Sequence, residues 1–207
     1  MSKTKTLFFF FMLVLLSANT FVSAQNGQQN DYLVLQTGDT LYGKVGYINE
    51  KAVNRDFHKK IRLTDAQGKT KKYNWKQVSG FRWDGFDYES FWLSKNSPSG
   101  LTLTEPRHDI DYSDGTQFFL KVISKGNVSH YELEWFNQGN STLWSKALLK
   151  KKKDPFLIRA DLGLLGLKRK VLHKYFSDCP ELQEKLEQKE FRKVSEVVAF
   201  YNGNCVE

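Results

Sequence analysis

From Asp31 to about Lys150, apolar and polar residues alternate in short runs broken by Gly, Asn and Asp, the two-residue period of half-buried strands. Residues 31–36 (Asp-Tyr-Leu-Val-Leu-Gln) are β-rich and stop at Thr37-Gly38-Asp39. A strand resumes over 40–48, with Gly43 and Gly46 as bends. Lys60–Thr64 turns at Ala66-Gln67-Gly68 into Lys69–Trp75. Lys76-Gln77-Val78 predicts one helical turn, and Phe81 opens the next strand.

Two hairpins follow from turn chemistry. Asp84-Gly85 lies between aromatic runs and suits a tight two-residue turn, which needs positive φ at both positions. That register pairs Trp83 with Phe86 and Phe81 with Tyr88 on one face, and Arg82 with Asp87 on the other. A turn at Gly126-Asn127 pairs Val122 with Tyr131, Leu120 with Leu133, Phe118 with Trp135, and Lys121 with Glu132. A third hairpin turns at Gln138-Gly139-Asn140 and returns through Leu143 and Trp144. This is an antiparallel meander, not a βαβ alternation.

After a last short strand at Phe156-Leu157-Ile158 the period changes. Apolar residues recur at helical spacing from about Leu165, through Leu167, Val171, Leu172 and Tyr175. Ser177-Asp178 before Cys179-Pro180-Glu181 reads as a helix start with an N-cap oxygen and Pro in the first turn. A final helix carries Phe191, Val194, Val197, Val198 and Tyr201 and ends at Asn202-Gly203. The expected fold is therefore α+β: an antiparallel β-meander over 31–159 and a C-terminal helical cap over 160–207. The stretch Asp39–Phe81 has the rhythm of a small SH3-like barrel, a similarity of topology only.

The first 24 residues carry another pattern. Lys3 and Lys5 precede an unbroken apolar run, Leu7–Leu16, and Val22-Ser23-Ala24 supplies small residues for cleavage. This is the form of a secretory signal peptide, with cleavage between Ala24 and Gln25. Residues 25–30 are a polar, flexible lead-in. The apolar run is short for a membrane span, and no transmembrane segment is expected in the mature chain. Removing 24 of 207 residues leaves 183, one large domain or two small ones. The formal charge of +8 falls to +6 without Lys3 and Lys5.

Charge is unevenly spread. Residues 55–76 hold eight Lys/Arg against two acids, and residues 146–176 hold ten against two. Residues 84–114 reverse the sign, with seven acids against two bases. A basic exported protein meets anionic lipid, polysaccharide or an acidic partner. Nucleic acid is excluded as a partner because export removes the chain from it.

Several short pieces, in this order, resemble a family of uncharacterised exported proteins of Bacteroidetes-type bacteria. They are Gly38-Asp39-Thr40-Leu41-Tyr42-Gly43, Val78-Ser79-Gly80-Phe81, Phe119-Leu120-Lys121-Val122, residues 175–182 (Tyr-Phe-Ser-Asp-Cys-Pro-Glu-Leu) and Tyr201-Asn202-Gly203-Asn204-Cys205. The resemblance implies an envelope location and no catalytic residues.

Candidate chemistry is sparse. Cys179 and Cys205 are the only cysteines, at the outer ends of two consecutive helices, and in an exported chain they predict a disulfide. Lys150-Lys151-Lys152-Lys153 is a candidate polyanion or membrane-surface contact, set against the plainer reading of a charged strand end that resists edge pairing. His108-Asp109-Ile110-Asp111 lacks zinc spacing and reads as a polar loop running from Arg107 to Gly115. The aromatics from Phe81 to Trp92 suit either core packing or a sugar platform, and alternation favours the core. No cofactor, metal site or catalytic residue is expected. The preferred function is an exported envelope protein, in the periplasm, at the outer-membrane periphery or outside the cell. It acts as a non-catalytic binding or structural module, with an envelope protein or polysaccharide as partner. The alternatives are a hydrolase or lyase acting on envelope polysaccharide, and a module that binds an anionic polymer.

Overall fold

In a computed structural model of the chain, the described residues are 31–46, 60–94, 106–137, 142–163 and 165–205. The leader, the lead-in and the turn at residues 138–140 lie outside them, as do the side chains of Trp135 and Leu143.

Among the described residues twelve antiparallel strands form two sheets, followed by three helices, an α+β fold. The Asp84-Gly85 turn has φ of 50° and 80°. It joins β6 (Val78–Trp83) to β7 (Phe86–Leu93), pairing Trp83 with Phe86, Arg82 with Asp87 and Phe81 with Tyr88 as the turn chemistry predicts. β9 (Thr116–Ser124) pairs with β10 (Val128–Asn137) through Val122–Tyr131 and Lys121–Glu132, also as expected, after a register shift beside His130. β10 then pairs along ten residues with β11 (Thr142–Lys151), including Trp135 opposite Trp144.

β12 (Phe156–Arg159) continues the order from β11, and β8 (Arg107–Asp109) lies on its far side. Arg107–Asp109 is thus a strand and not loop, because its backbone pairs with Phe156–Ile158. Ile110 bridges back to Leu93, and the Ser94 amide donates to the Asp109 carbonyl at 2.9 Å. The six strands from β7 round to β8 therefore form a closed ring, which removes the exposed edges of this part of the sheet.

β1 (Tyr32–Leu35) and β2 (Thr40–Tyr42) extend the large sheet beyond β6. β3 (Lys44–Gly46), β4 (Lys60–Thr64) and β5 (Thr70–Asn74) form the second sheet. The Asp39–Phe81 stretch is divided between the two sheets, and its described ladders do not close into an SH3-like barrel. A 3-10 turn, Trp75–Gln77, links β5 to β6, capped by the Asn74 side chain. The strand after it opens at Val78, earlier than Phe81.

Alternation along the strands feeds three cores. Leu33, Phe81, Tyr88 and Phe119 pack against Val45, Ile61, Leu63 and Tyr73 of the small sheet. Phe91, Leu93, Leu120, Tyr131, Leu133, Leu148 and Leu157 make a second cluster from strands of the ring. Val128, Ala147, Leu149, Ile158 and Ala160 sit under the helices α1 (Arg169–Tyr175), α2 (Pro180–Glu187) and α3 (Val194–Asn204).

The helix ends differ from the sequence expectation. α1 starts at Arg169, because Asp161 and Leu167 before it pair in a β-bridge. Pro180 opens α2 as expected, but Cys179 is the N-cap and makes no side-chain cap bond. Asp178 turns away to Lys151 and Tyr201. Gly203 lies inside α3, which ends at Asn204.

Candidate functional site

A groove of about 520 Å³ runs between α1 and the outer face of the β8–β12 edge. The edge supplies Phe156 and Ile158, and α1 supplies Val171 and Tyr175. These four side chains point there because the strand residues belong to the outward face of the ring and the helix residues recur four apart. Arg107 crosses one wall, its guanidinium 3.8 Å from the Phe156 ring centroid and paired with Asp109 at 2.7 Å. Lys170 and Lys174, one turn apart on α1, line the other wall. Both are exposed, and neither has an ion-pair partner among the described residues. Among the described residues the one carboxylate in the lining is Asp154, which accepts a hydrogen bond from the Tyr175 hydroxyl at 2.7 Å. Burial, then that hydrogen bond, pushes the Tyr175 phenol far above its ordinary value, so it remains a donor. The groove thus has an apolar floor and a cationic rim.

The four lysines of the 150–153 run do not share one surface. Lys151 reaches under α1, where its ammonium donates to Asp178 at 2.7 Å and to the Tyr175 carbonyl at 2.9 Å. It also lies about 5 Å from the Tyr175, Phe176 and Tyr201 ring centroids. It is a clamp between strand and cap that also borders the groove. Lys152 and Lys153 are exposed in the turn into β12. Lys150, Lys151 and Lys152 line a second hollow beside Lys125 and Tyr131. Lys125 there is already tied to Glu89 and Tyr131.

The aromatic run is mostly core. Phe81 stacks on Tyr88 at 4.9 Å, and Phe91 meets Tyr131 edge-on at 5.0 Å. Exposed Phe86 lies under the Lys121 ammonium, 3.6 Å from its ring centroid. A sugar platform is not formed by these rings.

A second cationic group is buried. Lys146 and Arg159 are both nearly inaccessible. Burial, then the charges of Arg159 and Lys168, brings the Lys146 ammonium down to about 8. Burial and the neighbouring Lys146 also lower His108. Asp161 receives the Arg159 guanidinium at 3.4 Å and the Ala147 amide at 2.9 Å. His108 and Asp109 serve β8, and Asp111 organises its own turn by accepting from Ser113 and Asp114. Among the described residues no group of His, Cys, Asp or Glu is arranged to hold a metal ion.

Cys179 and Cys205 come together at disulfide distance, with Cα atoms 5.5 Å apart, at the end of the α2–α3 pair. His130 is the other notable buried group. It is 5% exposed on the face of β10 under the helices, and neither ring nitrogen has a hydrogen-bond partner among the described residues.

Of the sequence candidates, then, the structure joins the two cysteines, and it keeps Lys150, Lys151 and Lys152 around one hollow with Lys151 also bordering the groove. It adds Arg107, Lys170 and Lys174, which lie in different segments. The sequence signal for Lys170 and Lys174 is the nearly acid-free basic stretch of 146–176, whereas Arg107 stands in the polar stretch 107–115. Comparison with protein-family models, with curated proteins and with solved structures finds no match. Among the described residues no helix is long and apolar enough to cross a membrane.

Proposed function

We propose that this chain is an exported, non-catalytic binding module of the cell envelope, and that the groove between α1 and β12 holds an acidic polysaccharide. One observation carries the reading. Among the described residues Lys170 and Lys174 have no ion-pair partner, stand one turn apart, and overlook an apolar floor whose single carboxylate is occupied by Tyr175. Ammonium groups along an open trough attract regularly spaced carboxylates or sulfates. The apolar floor suits the carbon faces of sugar rings. The leader pattern of residues 1–24 and the resemblance to exported envelope proteins support the location. A cysteine pair at disulfide distance agrees with an oxidising compartment.

Titration calorimetry with polygalacturonate, and with dextran as the neutral control, tests the ligand. Binding to polygalacturonate should weaken with added salt. The double variant Lys170→Glu/Lys174→Glu should lose about tenfold or more in affinity, since each reversed charge opposes the polymer. Equal binding to dextran, or no effect of the double variant, refutes the groove. N-terminal sequencing of the exported protein should start at Gln25, and recovery of the chain in the cytosol refutes the location.

A further inference from the structure

We propose that the turn between β12 and α1 is a membrane-surface contact whose two leucines enter the interfacial layer of an anionic bilayer. This contact shares Lys170 and Lys174 with the groove, but its two leucines lie outside the groove's lining. Leu165 is 84% exposed, the most exposed of the large apolar residues described, and Leu162 on the same turn is 44% exposed. Leucines left this far in water are not filling a core.

Backbone hydrogen bonds join the described residues on either side of them. The Leu162 amide donates to the Gly166 carbonyl at 2.7 Å, and the Gly166 amide to Gly163 at 3.1 Å. Below them Asp161 bridges Leu167, and the Lys168 amide donates to Ala160 at 2.8 Å. Gly163 and Gly166 take φ of 66° and 88°, conformations that L side chains rarely adopt.

Charge identifies the partner. From Leu162 to Ser177 there is no acidic residue, and Lys168, Arg169, Lys170 and Lys174 follow directly on the tip. Arg169 is committed to the Leu186 and Phe191 carbonyls, and Lys168 is half-buried. Lys170 and Lys174 remain exposed for headgroup phosphates. Reversible membrane binding needs an apolar anchor together with a basic patch, and both are present in this one stretch. The register also brings a third element to this end of the sheet. The chain leaves β12 beside Ala147, heading past the start of β11, where Trp144 is 41% exposed. Tryptophan favours the headgroup layer. A protein partner fits less well, because a protruding turn with two leucines offers far less than the roughly 1,000 Å² of a stable protein interface.

Co-sedimentation of the purified protein with phosphatidylcholine vesicles, with and without phosphatidylglycerol, tests this. The protein should pellet with the anionic vesicles and be released by salt. Leu162→Ser/Leu165→Ser should keep the wild-type melting temperature and lower the vesicle partition by about tenfold or more. The same variant should bind polygalacturonate unchanged, which separates failure of this contact from failure of the groove. Leu165→Trp should partition at least as well as wild type, with its added fluorescence shifting to the blue on the anionic vesicles. Undiminished vesicle binding by the double serine variant, or no spectral shift for Leu165→Trp, overturns the proposal. So does a wild-type protein that self-associates on size-exclusion chromatography and is made monomeric by the serine variant, since the tip would then be a contact between copies.

Discussion

His130 and Lys151 are polar side chains in apolar surroundings, and their fates differ because one has partners. Burial lowers the His130 imidazole from 6.5 to about 4, with Asp161 opposing the shift. The unfolded chain then binds more protons than the folded chain between those two values. Stability is full above pH 6.5 and decays as pH falls toward 4, by roughly 3 kcal/mol from this residue. Thermal melts across that range should show the loss, and His130→Leu should flatten it. Lys151 is half-buried and satisfied by Asp178, the Tyr175 carbonyl and three aromatic rings. Burial works against the Asp178 charge, but bonds from Lys151 and Tyr201 outweigh it and hold the carboxyl below its ordinary value. Lys151→Met keeps the apolar stem and removes the charge. It should cost about 1–3 kcal/mol in denaturant unfolding, the range for a charge-assisted hydrogen bond.

Single hydrogen bonds give way, at the level of elements, to the closing of chain segments. α2 and α3 are joined by a short link, residues 188–193, so they fold back on one another and bury Leu182, Leu186, Val194 and Val198 together. That return brings Cys179 and Cys205, 26 residues apart in sequence, to 5.5 Å. A bridge there closes a loop worth about 3–4 kcal/mol on the chain-entropy view. Mass measurement after alkylation without reduction should find no labelled thiol. Cys205→Ser should lower the melting temperature of the cap while near-native far-ultraviolet strand signal persists. The cap is also tied to β10 by Asn202, whose side chain donates to and accepts from the Val128 backbone, both at 2.9 Å.

Across the whole molecule, stability depends on the contact that turns an open sheet into a ring. β7 meets the Asp109–Asp111 segment by a bridge and two backbone hydrogen bonds, close to Gly115. A Cβ at Gly115 would fall within 3.0 Å of the Trp92 and Leu93 backbones, which cannot move aside without breaking the junction. Gly115→Ala should therefore cost about 1–3 kcal/mol, the usual range for overpacking. Hydrogen exchange at the Ser94 and Asp111 amides should accelerate more than exchange in the β10–β11 ladder. Equal acceleration everywhere would mean that the junction is not a separate weak point.

What the sequence determined by itself was local. The Asp84-Gly85 turn and its flanking pairs specify their register because a one-residue slip would put Arg82 and Asp87 into the core. The same logic reads Val122–Tyr131 and Lys121–Glu132, the change from strand to helical period near residue 160, and the meeting of the two cysteines. What only the tertiary structure decided was non-local. Arg107–Asp109 has no strand signature of its own and becomes one because β12 offers it an unpaired edge. The Asp39–Phe81 stretch reads as one small barrel, yet long-range pairing gives its ends to the large sheet and its middle to another. The Lys150–Lys153 run reads as one charged patch, but alternation along β11 and the docking of α1 turn Lys151 inward and leave Lys152 and Lys153 in water. The groove could not be read in advance because Arg107, Phe156 and Lys170 are brought together only when the ring closes and the cap settles on it. Register depends on residues a few positions apart, whereas such a site depends on which surfaces are left once distant segments have buried theirs.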